Sequence, residues 1–287
     1  MRRPLVSVVI VNWNTAPELA RCLTSLRRHV RRTSFEVIVV DNDSRDGSRE
    51  WLARQKGLEV VLNPGNRGFA PAVNQGLARA RGKFTLLLNS DVTFREDALT
   101  PLVRFMGRHP RAGAAGAATF YPDGRLQRHI RPFPTLRMAF NSLAGLDRLS
   151  PRLFPSAETF MHQADHSRTR SCDQVAASYL ILPTELFRKV GGMDERQFIL
   201  YNDVDLCERL WKHGRGVWYV AEARVFHEGC VSTRRTGPLL RFRMYLDILR
   251  FFTKRRGAAA VLLLSPVLAI RWAVFVAGYP FRKDRKA

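Results

Sequence analysis

Four short runs in the N-terminal third of the chain are almost continuously apolar and rich in β-branched side chains: Leu5 to Val11, Glu36 to Val40, Leu58 to Leu62 and Phe84 to Leu88. Runs of this length suit strands covered on both faces, as in a parallel sheet. Between them the period changes. Leu19, Cys22, Leu23 and Leu26 recur at helical spacing, and helical patterns also cover Ser48 to Arg54 and Ala70 to Ala80. Alternating strand and helix predict an α/β fold: a doubly wound, mostly parallel sheet with helices on both faces. Ligands of such sheets bind outside the carboxyl ends of the strands, which makes the polar residues after each run the first to inspect. Arg2 and Arg3 before the first run superficially suggest a signal peptide. No small-residue cleavage site follows and Asn12 and Asn14 come at once, so a buried strand is expected instead.

Beyond about Val92 the pattern is less regular. It is punctuated by proline from Arg131 to Pro134 and is expected to be loop-rich from Leu149 to Arg170, in a half that shapes the cleft without a separate core. A last zone begins at Thr233. The expected divisions are therefore 1–95, 96–232 and 233–287.

With 287 residues and 46% hydrophobic side chains, the chain can bury a sizeable core and is not globally disordered. Its 47 Lys and Arg against 25 Asp and Glu give a net charge of +22, a field that favours phosphates or anionic lipid. Half of that charge lies in 233–287, where 13 basic residues face only Asp247 and Asp284. There Ala258 to Ile270 is nearly apolar, interrupted by Pro266, and Arg271 precedes a second apolar stretch from Trp272 to Tyr279. A clean span wants about 20 apolar residues. A segment lying in an anionic membrane interface or re-entering it, flanked by Lys254 to Arg256 and Arg282 to Lys286, is expected, the alternatives being a bilayer-crossing helix that accommodates Arg271 and packing on the rest of the chain. Cys22, Cys172, Cys207 and Cys230 form no CxxC pair and read as buried thiols of a reducing compartment.

Polar groups of definite chemistry follow the predicted strands. Asp41 ends the second run, where a carboxylate can accept from a nucleobase imide or a ribose hydroxyl; Asp43, Ser44, Asp46 and Ser48 after it also suit turns and helix caps. Asn63 to Leu77 sets Gly65 and Gly68 in a turn before a helix, a place for an anion or an ordinary turn. Asn89, Ser90 and Asp91 after the fourth run suit either a Mg²⁺ or Mn²⁺ site or an Asx turn. In GGMDERQFILYNDVDLCERLWKHG, Val204, Cys207, Leu210 and Trp211 mark a helical stripe. Asp205 is expected to pair with Arg209, leaving Asp203 as a general base or a cap. His227 follows a further short strand, and Arg234 and Arg235 add charge nearby.

Taken in order, VSVVIVNWN, VVDNDSRDGS, NPGNRGFAPAVNQGL, LLLNSDV, GGMDERQFILYNDVDL and HEGCVST resemble the inverting family-2 glycosyltransferases, in particular their rhamnosyltransferase-like branch. The resemblance covers roughly Val6 to Ser232. It implies a GT-A fold, a nucleotide-diphosphate sugar donor, a divalent metal (Mg²⁺ or Mn²⁺) and a single displacement with inversion. By position, Asp41 would bind the base, while Asn12, Asn66, Gly68, Asn74 and Asn89 would line the donor site. Asp91 would bridge metal and diphosphate with His227 assisting, and Asp203 would deprotonate the acceptor hydroxyl. Two departures stand out. Asn202 occupies a position where the family usually has Glu, and Ala176 or Ala177 replaces a small Gly in the strand preceding the GGMDE segment. The expectation is thus a glycosyltransferase of cell-wall or polysaccharide biosynthesis, cytoplasmic and peripheral to the inner face of the plasma membrane. Its acceptor would be a glycan or a polyprenyl-linked lipid. A non-catalytic scaffold or a basic nucleic-acid-binding protein is the alternative, although no zinc-finger, RNP or helix-turn-helix signature is present and no nucleic-acid partner is expected.

Overall fold

The computed structural model describes residues 3–229 and 237–278. Its N-terminal part runs β1 (Val6–Asn12), α1 (Ala16–His29), β2 (Phe35–Asp41), α2 (Ser48–Ala53), β3 (Glu59–Leu62), α3 (Phe69–Arg79) and β4 (Phe84–Asn89). β1, β2, β3 and β4 pair in parallel in the order β3-β2-β1-β4. The order reverses at β1, so a crevice opens between the carboxyl ends of β1 and β4. The runs of β1, β2 and β4 are continuous because both faces are covered, whereas β3 at the edge is only half-buried. Val8, Ile10 and Val39 pack with Leu19, Leu23 and Leu26 of α1 on one face, whereas Val9 and Ile38 pack with Val73 and Leu77 of α3 on the other.

The chain continues through β5 (Val92–Thr93), α4 (Leu99–Arg108), β6 (Ala112–Phe120), β7 (Leu126–Gln127), α5 (Leu136–Ala144), α6 (Leu146–Leu149) and α7 (Ala157–Gln163). It then forms β8 (Arg170–Cys172), β9 (Tyr179–Pro183), α8 (Thr184–Lys189), α9 (Asn202–Lys212) and β10 (Gly216–His227). These strands extend the same sheet as β4-β9-β6-β10-β5, with β9 antiparallel to both β4 and β6. The second half thus adds no sheet of its own. The segment expected as loop from Leu149 to Arg170 holds α7, whose start is closed by a capping box of Ser156 and Thr159. Ala176 and Ala177 stand just before β9 rather than in a strand, which corrects the expected placement.

Two helices follow, α10 (Pro238–Arg256) and α11 (Ala258–Gly278). Phe251 and Phe252 of α10 are buried with Ala139 of α5, Val204 of α9 and Ala260, Leu264 and Leu268 of α11. α10 beyond the expected division at 232 therefore shares a core with α9. α11 is 21 residues long with a mean hydropathy of 2.2 over its most apolar stretch, long and apolar enough to cross a membrane. The stripe Ala260, Leu264 and Leu268 faces the protein, while Leu262, Ile270 and Val274 on the other side are 77%, 66% and 69% exposed. Arg271 donates to the carbonyl of Leu143 at 2.8 Å. The expected clusters at Arg234 and Arg235 and at Arg282 to Lys286, with Cys230 and Ser232, lie outside the described residues.

Candidate active site

Register places Asn12 beside Asp41 at the ends of β1 and β2. Both are fully buried. The Asn12 amide donates to Asp41 Oδ2 at 2.8 Å and to Ser44 Oγ at 3.1 Å, and Asn12 Oδ1 accepts from Thr15 Oγ1 at 2.7 Å. Asp41 Oδ1 accepts the Ser44 N–H at 3.0 Å. Every polar atom of Asn12 is thus engaged, and its place is to hold the Asp41 carboxylate. Asp46 takes the capping role open to its segment: it accepts from Ala16 N at the start of α1 at 2.8 Å and from Ser48 Oγ at the start of α2 at 2.5 Å.

The turn before α3 is built from amides. Asn63 donates to Asn42 Oδ1 at 2.8 Å, and Asn42 donates to the Gly68 carbonyl at 2.9 Å. Asn66 Oδ1 accepts the Gly68 N–H at 2.9 Å. Gly68 has φ +95°, and a Cβ there would stand 2.7 Å from the Phe198 ring, so only glycine fits. Asn74 is used differently: its amide binds Met193 on both sides, donating to the carbonyl at 2.9 Å and accepting the N–H at 2.8 Å. Asn74 joins α3 to the GGMDE segment.

At the end of β4 the Asp91 carboxylate lies 3.1 Å from His227 Nε2. The antiparallel pairing of β5 with β10, His227 opposite Val92, brings them together. The Asn89 amide is 3.4 Å from the same ring nitrogen. His227 Nδ1 donates to Gln127 Oε1 at 2.7 Å, which fixes the ring and leaves Nε2 as the atom that faces the carboxylate. Asp91 and His227 are the residues here that could hold a divalent cation. Among the described residues no cluster of three or more His, Cys, Asp or Glu forms. Two protein ligands that leave positions for phosphate oxygens and water suit a Mg²⁺-type ion.

Asp203 lies in the first turn of α9 and accepts the Val204 N–H at 2.9 Å; the Ala177 N–H also reaches it. Burial pushes its carboxyl above the ordinary value, opposed by the charge of Arg131. The helix cap is instead Tyr201, whose φ of +62° is strained for a tyrosine. Asn202, at the departure from the family pattern, is 2% exposed, and neither amide atom has a partner. Asp205 points away and binds Arg209, Lys254 and Arg255 at 2.8, 2.9 and 3.2 Å. Trp211 leaves the expected stripe: it is 40% exposed and donates to the Asp173 carbonyl at 3.1 Å.

Residues 7–164 match the family described as Glycosyl transferase family 2. The N-acetylglucosaminyl-diphospho-decaprenol L-rhamnosyltransferase of Mycobacterium tuberculosis is 30% identical over 244 residues, 80% of this chain and 78% of the relative. This chain is a family-2 glycosyltransferase. The putative teichuronic acid biosynthesis glycosyltransferase TuaG of Bacillus subtilis is 27% identical over 76% of this chain and 87% of its own length. Among solved structures, the mannosyltransferase PcManGT from Pyrobaculum calidifontis in complex with GDP-Man and Mn²⁺ superposes with a TM-score of 0.57 at 19% identity, covering 96% of this chain and 76% of that one. GalNAc-T7 with UDP, GalNAc and Mn²⁺ gives 0.59 at 17% identity over 79% of this chain and 44% of that one. The fold is GT-A.

For this glycosyltransferase, sequence reading missed Gln127, because it lies 100 residues from the histidine it orients. It also missed Thr15, and it took Ser44 for a turn or cap residue only; the two close the network around Asn12.

Proposed function

We propose that the protein transfers a sugar, of the rhamnosyl type, from a nucleotide-diphosphate donor to a hydroxyl of a polyprenyl-diphosphate-linked glycan, with inversion. The observation that carries this reading is the Asp91–His227 pair, 3.1 Å apart at the crevice where the strand order reverses. Asp41 receives the base, the Asn66–Gly68 turn and α3 receive the diphosphate, and Asp91 with His227 would hold Mg²⁺ or Mn²⁺. Such an ion neutralises charge that develops on the departing nucleoside diphosphate. Asp203, with its raised carboxyl, takes the proton from the acceptor hydroxyl as the hydroxyl attacks the anomeric carbon. One carboxylate suffices, because inversion needs no covalent nucleophile. The M. tuberculosis relative is named for a decaprenyl-diphosphate acceptor and L-rhamnose, which supports the choice of acceptor class and sugar. The apolar outer face of α11 and the basic tail suit a protein that meets this acceptor at an anionic membrane on the cytoplasmic side. The test incubates the protein with UDP-, dTDP- and GDP-linked sugars, L-rhamnose included, and N-acetylglucosaminyl-diphospho-decaprenol, with Mg²⁺, Mn²⁺ or chelator. Metal-dependent glycolipid formation is expected. No product with any donor, or equal product in chelator, would contradict the reading.

A further inference from the structure

The segment 193–201 lies between the turn that precedes α3 and the helix that carries Asp203. On one side the Phe69 N–H donates to the Phe198 carbonyl at 2.7 Å, Gly68 packs on the Phe198 ring, and Asn74 clasps Met193. On the other side the segment is fastened to α10. Asp247, 0% exposed, accepts the N–H groups of Phe198, Ile199 and Leu200 at 2.8, 2.7 and 3.0 Å. Arg250 donates to the Arg196 carbonyl at 3.0 Å, and Lys254 binds Asp194 at 2.8 Å. Tyr201, the strained residue two before Asp203, stacks on Phe251 with ring centroids 4.4 Å apart.

A buried carboxylate that gathers three consecutive backbone donors fixes a segment which has no regular secondary structure to do so. Here that segment ends at the base. We infer that Asp247 is a positioning residue: through residues 198–201 it sets where the Asp203 carboxylate stands relative to the donor turn, and so makes catalysis depend on the seating of α10. This rests on the reading of Asp203 as general base. Misplacing a reacting group by an ångström costs on the order of 100-fold in rate. Loss of the clasp therefore acts first on turnover: Asp41 and the Asp91–His227 pair stand at the ends of β2, β4 and β10, whereas the Gly68 turn shares Phe198 with the clasped segment and follows it in smaller measure.

The experiment compares the full-length protein with Asp247→Asn, which keeps the shape and removes the carboxylate, with Arg250→Ala as a control at an exposed partner, and with Asp203→Asn. Expected for Asp247→Asn are a fall in kcat on the order of 10- to 100-fold that exceeds any loss of calorimetric affinity for UDP or dTDP with Mn²⁺, and faster amide exchange centred on residues 193–201. The acid limb of kcat is expected to move toward lower pH, because a loosened segment lets water reach Asp203. The groups facing that carboxylate, Arg131, Tyr201 and Cys207, are unaltered. Parental kcat and pH profile in a folded Asp247→Asn would overturn the inference, as would a loss that merely tracks the folded fraction. Should Asp247→Asn not fold, Phe251→Leu, which loosens the stack on Tyr201, is judged by the same readouts. A fully active Asp203→Asn would instead overturn the reading of the base, so the two failures are distinguishable.

Discussion

At the scale of single residues the site divides into groups that meet substrate and groups that aim them. Asp91→Ala removes the carboxylate that faces the His227 ring and is expected to abolish the Mn²⁺ dependence of nucleoside-diphosphate binding in calorimetry; unchanged affinity with and without metal would make Asn89–Asp91 a mere turn. Gln127→Leu leaves both candidate ligands in place but frees the ring from the tautomer it needs. It is expected to weaken the metal-dependent part of binding by about 10- to 100-fold, the usual effect of losing a partner that orients a metal ligand. Neither Gln127 nor Asp247 was legible in the sequence. Each acts on a residue far along the chain, and nothing local tells what a Gln in a short strand, or an Asp in a helix of mixed apolar and basic residues, is bonded to. Asp91 was singled out because it follows the fourth apolar run, and Asp203 because it opens a helical stripe on which Asp205 pairs with Arg209; each suited a turn or a cap as well, and the family resemblance supplied the roles.

At the scale of elements, what was legible was what the central sheet buries. β1, β2 and β4 fall on three of the apolar runs because both faces of each strand meet α1, α3 or their neighbours, and β3 falls on the remaining one at the half-buried edge of the sheet. α5, α6 and α7 were missed because α5, the longest of them, packs on α11 rather than on the sheet, so its pattern depends on a partner more than a hundred residues away. The turn before α3 gives a sharp prediction: Gly68→Ala meets a strained φ and the Phe198 ring together. It is expected to destabilise the fold by about 1–3 kcal/mol, read as a lower midpoint in urea. The strand β7 leads into a buried histidine pocket, where His129 is held neutral. Burial, with help from His166 and Arg131, lowers its pKa from 6.5 to about 3. The unfolded chain therefore takes up that proton first. Its contribution to stability is complete above about pH 6.5 and is lost progressively as the pH falls toward 3. His129→Gln should show a shallower decline in Tm between pH 7 and 5 than the parent; parallel curves would contradict this.

At the scale of the whole molecule, the +22 charge and the apolar outer face of α11 belong to one question: what the protein rests on. A helix apolar all round, with one stripe packed on the protein and the other facing out, is a surface suited to lipid. Replacing Leu262, Ile270 and Val274 with Asn leaves the inner stripe untouched and is expected to keep Tm within a few degrees while reducing flotation with anionic liposomes. High salt should weaken flotation of the parent without abolishing it. Undiminished flotation of the variant would mean that the face is not the contact. The central claim, that this GT-A fold moves a sugar by a single displacement with Asp203 as base, is tested most directly by Asp203→Asn in the glycolipid assay, with donor binding measured on the same sample. The account predicts unchanged affinity for the nucleoside diphosphate and a loss of transfer of about 10²- to 10⁴-fold; transfer at the parental rate would contradict it.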